Sequence, residues 1–75
     1  MSQTPRTDRQ IALDACDDAF EERMKTAAAF LQDSLVNAQT DQDRTDCRAR
    51  FESALKTAIE ARTIHRQVVD QLFPD

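Results

Sequence analysis

Cys16, Cys47 and His65 are, besides the carboxylates, the residues whose types suit metal binding or nucleophilic work. Thiolate and imidazole are zinc ligands, and two thiols can form a redox couple. Their spacing matches no C-x-x-C, H-E-x-x-H or E-x-x-H signature, so each reads first as a small or hydrogen-bonded residue on an apolar face. A second candidate group is the acidic cluster Asp14, Asp17, Asp18, Glu21 and Glu22. Carboxylates perform acid–base chemistry when a cleft desolvates them, and otherwise form a solvated face or a docking surface for a basic partner. Arg44, Arg48, Arg50 and Lys56 are interleaved with Asp43, Asp46 and Glu52 and carry no aromatic platform. That pattern fits a solvated helix face better than a nucleic-acid surface.

Which of these groups can meet depends on the elements that hold them. The chain has 75 residues, no Gly, no Trp, no Tyr and two Pro. Without Gly, hairpin turns and phosphate-cradling loops lose the residue that reaches φ > 0 cheaply. This argues against a β architecture and against Walker-type or dinucleotide loops, and it points to an all-α chain. Fourteen acidic and ten basic side chains give a net charge of −4, which does not favour phosphate backbones. No stretch has the apolar length of a membrane span. The polar start leads into no apolar run, so the expectation is a cytoplasmic, bacterial-type protein with reduced thiols.

Residues 1–7 are expected to be a disordered tail, followed by one helical-hairpin domain over 8–75. Thr7-Asp8-Arg9-Gln10 fits a capping box that opens a first helix over about 8–38. At 100° per residue, Leu13, Cys16, Phe20, Met24, Ala27, Leu31 and Leu35 form one apolar stripe, with Phe30 on its shoulder. Ile11, Ala29 and Val36 fall nearly opposite. The stretch from Asn37 to Asp46 is polar apart from Ala38, which places a turn near 38–42. Thr40 with Asp41 and Asp43 supplies the N-terminus of a second helix over about 41–73. Its stripe is Cys47, Phe51, Ala54, Leu55, Ala58, Val69 and Leu72, with Ile59 and Phe73 to one side and Arg62 and His65 interrupting it. Leu72-Phe73-Pro74 closes it, because the residue before Pro avoids the α region. A single straight helix is the competing arrangement. It would set Phe51 about 140° from Phe20, whereas a hairpin brings the stripes together.

In the hairpin, residues level across the helices have numbers totalling about 80 or 81, by the common rise per residue. Asp14 and Asp17 then lie beside Arg62 and Arg66, and Cys16 beside His65. Cys47 falls ~27 Å away along the helix, so an intrachain disulfide is excluded. Two helices cannot enclose Phe20, Phe30, Phe51 and Phe73, so the expected assembly is a homodimer that completes a four-helix bundle. That layout is similar to the ROP-type dimer of helical hairpins and to the small hairpin co-chaperones of type III secretion systems. The likeness is of layout, and no residue role carries over.

The expected function is therefore a non-enzymatic protein–protein interaction module of adaptor, co-chaperone or inhibitor type, with no cofactor. Its expected partner-binding residues are Phe20, Phe30, Leu31, Leu35, Val36, Phe51, Leu55 and Phe73, with the acidic cluster as a second patch. The alternatives are a regulatory nucleic-acid-associated bundle and a thiol or metal sensor. The sensor would use Cys16 and His65 with Cys47 of a second copy whose loop points the other way.

Overall fold

A computed structural model describes residues 5–74, folded as two antiparallel helices. α1 spans Asp8–Asn37 and α2 spans Asp41–Leu72, and the two pack along their length as a hairpin. The straight-rod alternative is not what forms. Of the expected tail, residues 1–4 lie outside the described residues, Arg6 pairs with the Asp14 carboxylate, and Thr7 is the α1 N-cap.

Local chemistry sets both helix starts. The Thr7 hydroxyl accepts from the Gln10 backbone N–H at 3.1 Å, but the Gln10 side chain donates forward to Asp14 at 2.9 Å. Only half of the expected capping box is realised there. The complete box is at α2, where Thr40 Oγ1 accepts from Asp43 N at 3.0 Å. Asp43 Oδ2 in return accepts from the backbone N–H groups of Gln39, at 3.1 Å, and Thr40, at 3.3 Å. One carboxylate thus ties down the three-residue connection Ala38-Gln39-Thr40. The turn needs no Gly, because Ala38 and Thr40 are both extended, with φ of −72° and −124°.

Contacts across the hairpin follow the expected register. Arg9 reaches Phe73 and Asp70, Asp17 pairs with Arg66, and Arg62 covers Phe20, all in pairs whose numbers total about 80. The seam consists of Leu13, Cys16, Phe20, Met24, Ala27, Leu31 and Ser34 against Cys47, Phe51, Leu55, Ala58, Arg62, His65 and Val69, each buried or half-buried. Leu35 departs from its expected place and is exposed, while Ser34 and Ala38 turn inward. Two successive steps of four from Ala27 drift about 80° off the seam, whereas a step of four and then three, to Leu31 and Ser34, stays on it. Leu72 is also exposed, because it lies about 60° round the helix from buried Val69, on the side of exposed Val68, and beyond it Phe73 leaves helical backbone at φ −130°, ψ 65° and turns its carbonyl toward Arg9.

The result is a single layer. The Cα atoms span 57 × 30 × 8 Å, and the shortest dimension is less than the ~10 Å diameter of one helix with its side chains. Among the described residues those buried are Cys16, Cys47, Ala58 and Val69, none larger than valine. Such a set removes little apolar area from water.

Candidate interaction surface

A one-layer hairpin has two broad faces, and helix phase assigns residues to each. On one face Ala27 and Phe30 of α1 join Phe51 and Ala54 of α2 around a hollow of about 450 Å³, also lined by Glu22, Arg23 and Arg50. Toward the termini a smaller hollow of about 130 Å³ runs between Cys16 and Ala19 on one side and Ala58, Ala61 and His65 on the other. Turning about 100° per residue, Leu13, Met24 and Leu35 of α1 and Leu55, Ile59 and Arg66 of α2 fall toward the opposite face. The Asp17–Arg66 ion pair, at 3.2 Å, lies on that side.

The expected partner-binding residues divide between these surroundings. Phe30 is 53% exposed and forms one wall of the larger hollow, while half-buried Phe51 faces it from α2. Phe20, Leu31 and Leu55 are half-buried seam residues with an open edge. Leu35 is exposed near the turn, and Val36, at 83%, stands apart from both seam and hollow. Half-buried Phe73 is the C-cap of α2, and its carbonyl accepts from Arg9 Nη1 at 2.7 Å. The structure thus brings Phe30 and Phe51 together and leaves Val36 and Phe73 at separate places.

Arg62 has a specific contact. Its guanidinium carbon sits 4.0 Å from the centre of the Phe20 ring, a cation–π geometry within the hairpin. Its backbone carbonyl accepts from Cys16 Sγ at 3.8 Å. The arginine that interrupts the apolar stripe is thereby a lid on an aromatic ring that two helices leave half open.

The acidic cluster is only partly open surface. Asp17 is held by Arg66, Glu21 by Lys25 at 3.5 Å, and Asp14 by Gln10 and Arg6 rather than by Arg62. The hydrogen bond from Gln10, joined by Arg6, keeps the Asp14 carboxyl below its ordinary pKa. Asp43 is lowered chiefly by the Gln39 N–H, with help from Thr40. Both carboxylates therefore stay charged as structural acceptors. Asp18 and Glu22 are exposed, and Glu22 lines the larger hollow.

Cys16 and His65 share the smaller hollow, as their level in the register requires, and Cys47 lies near the turn beside Ser34 and Asp46. Both cysteines are free and buried. Among the described residues no group of three or more His, Cys, Asp or Glu side chains is placed to hold a metal ion.

Two features were not anticipated. Ile64, Val68 and Leu72 are all exposed and form an apolar edge along α2, signalled by their spacing of four. Arg9 is half-buried and ties α1 to the far end of α2, a role that its place on the seam side of the first helical turn could have suggested. No helix of the described residues is long and apolar enough to cross a membrane. Comparison with known protein families, curated proteins and solved structures finds no match.

Proposed function

We propose that this hairpin is a non-enzymatic protein–protein interaction module that acts in the cytoplasm as a homodimer, two hairpins forming a four-helix bundle. One observation carries the proposal: among the described residues nothing larger than Val69 is buried, while Phe30, Leu35, Ile59, Ile64, Val68 and Leu72 stand open to water. Seventy-five residues with so small a core gain too little from burial to offset the conformational entropy of ordering two long helices. Stacking two layers face to face covers one apolar face of each and leaves the other available to a further protein. The carboxylates with lowered pKa are exposed cap and surface acceptors, not groups desolvated in a cleft, which fits a structural use of charge.

Light scattering on the eluting protein at micromolar concentration tests this. The proposal requires a mass twice the 8.5 kDa of one chain. A helical, cooperatively melting species of single-chain mass at every concentration would refute it.

A further inference from the structure

We infer that the face carrying the two hollows is a groove for an acidic amphipathic helix of another protein. The apolar side of that helix seats between Phe30 and Phe51, and its carboxylates pair with Arg23 and Arg50. This rests on the interaction-module reading above and adds the face used and the shape and charge of the partner.

The larger hollow, of about 450 Å³, and the smaller, of about 130 Å³, share Arg23 in their linings and so form one groove between α1 and α2. From Cys16 to Phe30 it runs ~21 Å at the helical rise per residue, about four turns. Phe30 and Phe51 stand at its turn end, and Ala19, Ala58 and Ala61 let a third helix come close at the other. Exposed Ile64, Val68 and Leu72 continue the same side of α2 toward the termini. An extended segment would find no backbone to pair with, because both walls are helices whose own N–H and C=O groups are bonded along the helix. A helix brings its backbone already satisfied and offers apolar side chains at i, i+3, i+4 and i+7.

Charge narrows the partner further. The chain as a whole is at −4, yet the groove is lined by Arg23, Arg50, Arg62 and His65 against one acid, Glu22. Glu22 stands about 100° round α1 from Arg23, on the outer rim. By the register total of about 80, His65, Arg62 and Arg50 are level with residues 15, 18 and 30 of α1, so with Arg23 they are spread along the groove. Elsewhere on the hairpin carboxylates hold Arg6, Arg9, Lys25, Arg44, Lys56 and Arg66. Among the described residues no carboxylate holds Arg23 or Arg50, nor Arg48 on the opposite face. Asp43 and Asp46 lie beyond Arg50 toward the turn, but Asp43 caps α2 and Asp46 accepts from Gln42 at 2.9 Å. A second copy is the poorer occupant. Arg23 is at the midpoint of α1, so a two-fold at the centre of this face would set it against its own copy.

Two labelled helical peptides test this. Both carry leucines at i, i+4, i+7 and i+11; one has flanking glutamates, and its twin has lysine at each of those positions. By fluorescence anisotropy at low salt the glutamate peptide is predicted to bind about tenfold more tightly, because two cations are matched in one and opposed in the other. Bulk charge alone gives the reverse order, since the chain is at −4. Arg23→Glu with Arg50→Glu is predicted to invert the preference. If that variant loses helicity by circular dichroism, Arg23→Gln with Arg50→Gln replaces it and is predicted to abolish the preference. Equal binding of the two peptides, tighter binding of the lysine twin or no binding of either would overturn the inference. An oligouridylate that binds more tightly than the glutamate peptide would overturn it in favour of nucleic acid. A dimeric mass that falls to that of one chain when the glutamate peptide is added would overturn it by giving the groove to the second copy. A single-chain mass before any peptide is added would instead refute the dimeric reading, and the two peptides would still decide the groove.

Discussion

The contact between Arg62 and Phe20 lends itself to a quantitative test. The guanidinium lies 4.0 Å from the ring centre, and both side chains are half-buried. Cation–π pairs contribute about 0.5–1 kcal/mol when exposed and about 2 kcal/mol when desolvated, so a half-buried pair should be worth about 1 kcal/mol. Arg62→Met keeps the aliphatic stem and removes the charge, and Phe20→Leu keeps apolar bulk and removes the ring face. The Cys16 thiol bonds the Arg62 backbone carbonyl, so neither change removes that contact directly. Thermal unfolding of the four proteins, followed by circular dichroism at one fixed concentration, closes a double-mutant cycle. A coupling of about 1 kcal/mol is expected, which for a chain of this size corresponds to roughly 4–8 °C in Tm. Additivity within about 0.3 kcal/mol would show that Arg62 merely rests on the ring, and would return it to the role of a snorkelling seam residue.

Other outcomes follow from the same structure. Thr40→Ala removes the N-cap hydroxyl of α2 and should cost about 1 kcal/mol in urea unfolding, while Thr40→Ser should restore most of it. Asp14 and Asp43 have lowered pKa values in the fold, so their contribution is present above the unfolded carboxylate pKa and is lost as pH falls through the folded values. Stability measured from pH 6 downward should therefore drop below about pH 4, and Asp43→Asn should flatten that drop. Cys16 is 2% exposed and Cys47 9%, so a thiol reagent should label both slowly in native protein, Cys16 the slower, and both at once in urea. Immediate labelling of Cys16 in native protein would show that the seam opens freely.

Much of this architecture is legible in the sequence because it depends on period and polarity. The phase of Cys16, Phe20, Ala27 and Leu31 and the polar stretch after Asn37 imply two helices that fold back at one level. The turn was placed by Thr40 and its acids, although the part played by Asp43, which binds two backbone N–H groups ahead of it, needed coordinates. Leu35 and Leu72 both leave the seam through helical phase, the first by two steps of four from Ala27 and the second by lying about 60° from buried Val69 on the side of Val68. Pairing of long side chains was the least legible feature. Asp14 sits at a level where Arg62 could reach it, yet it takes nearer partners on its own chain segment, and Arg62 turns to a ring instead. Charge order gives the register of two helices but not which flexible side chain closes which contact, because several partners lie within reach at similar energy.

The most direct measurement of the central claim is the melting temperature as a function of chain concentration over a hundredfold range. If a second copy supplies the missing half of the core, folding is coupled to association and Tm rises with concentration. A cooperative transition whose Tm stays constant across that range would mean that one thin layer of two helices is stable alone, and would contradict the account.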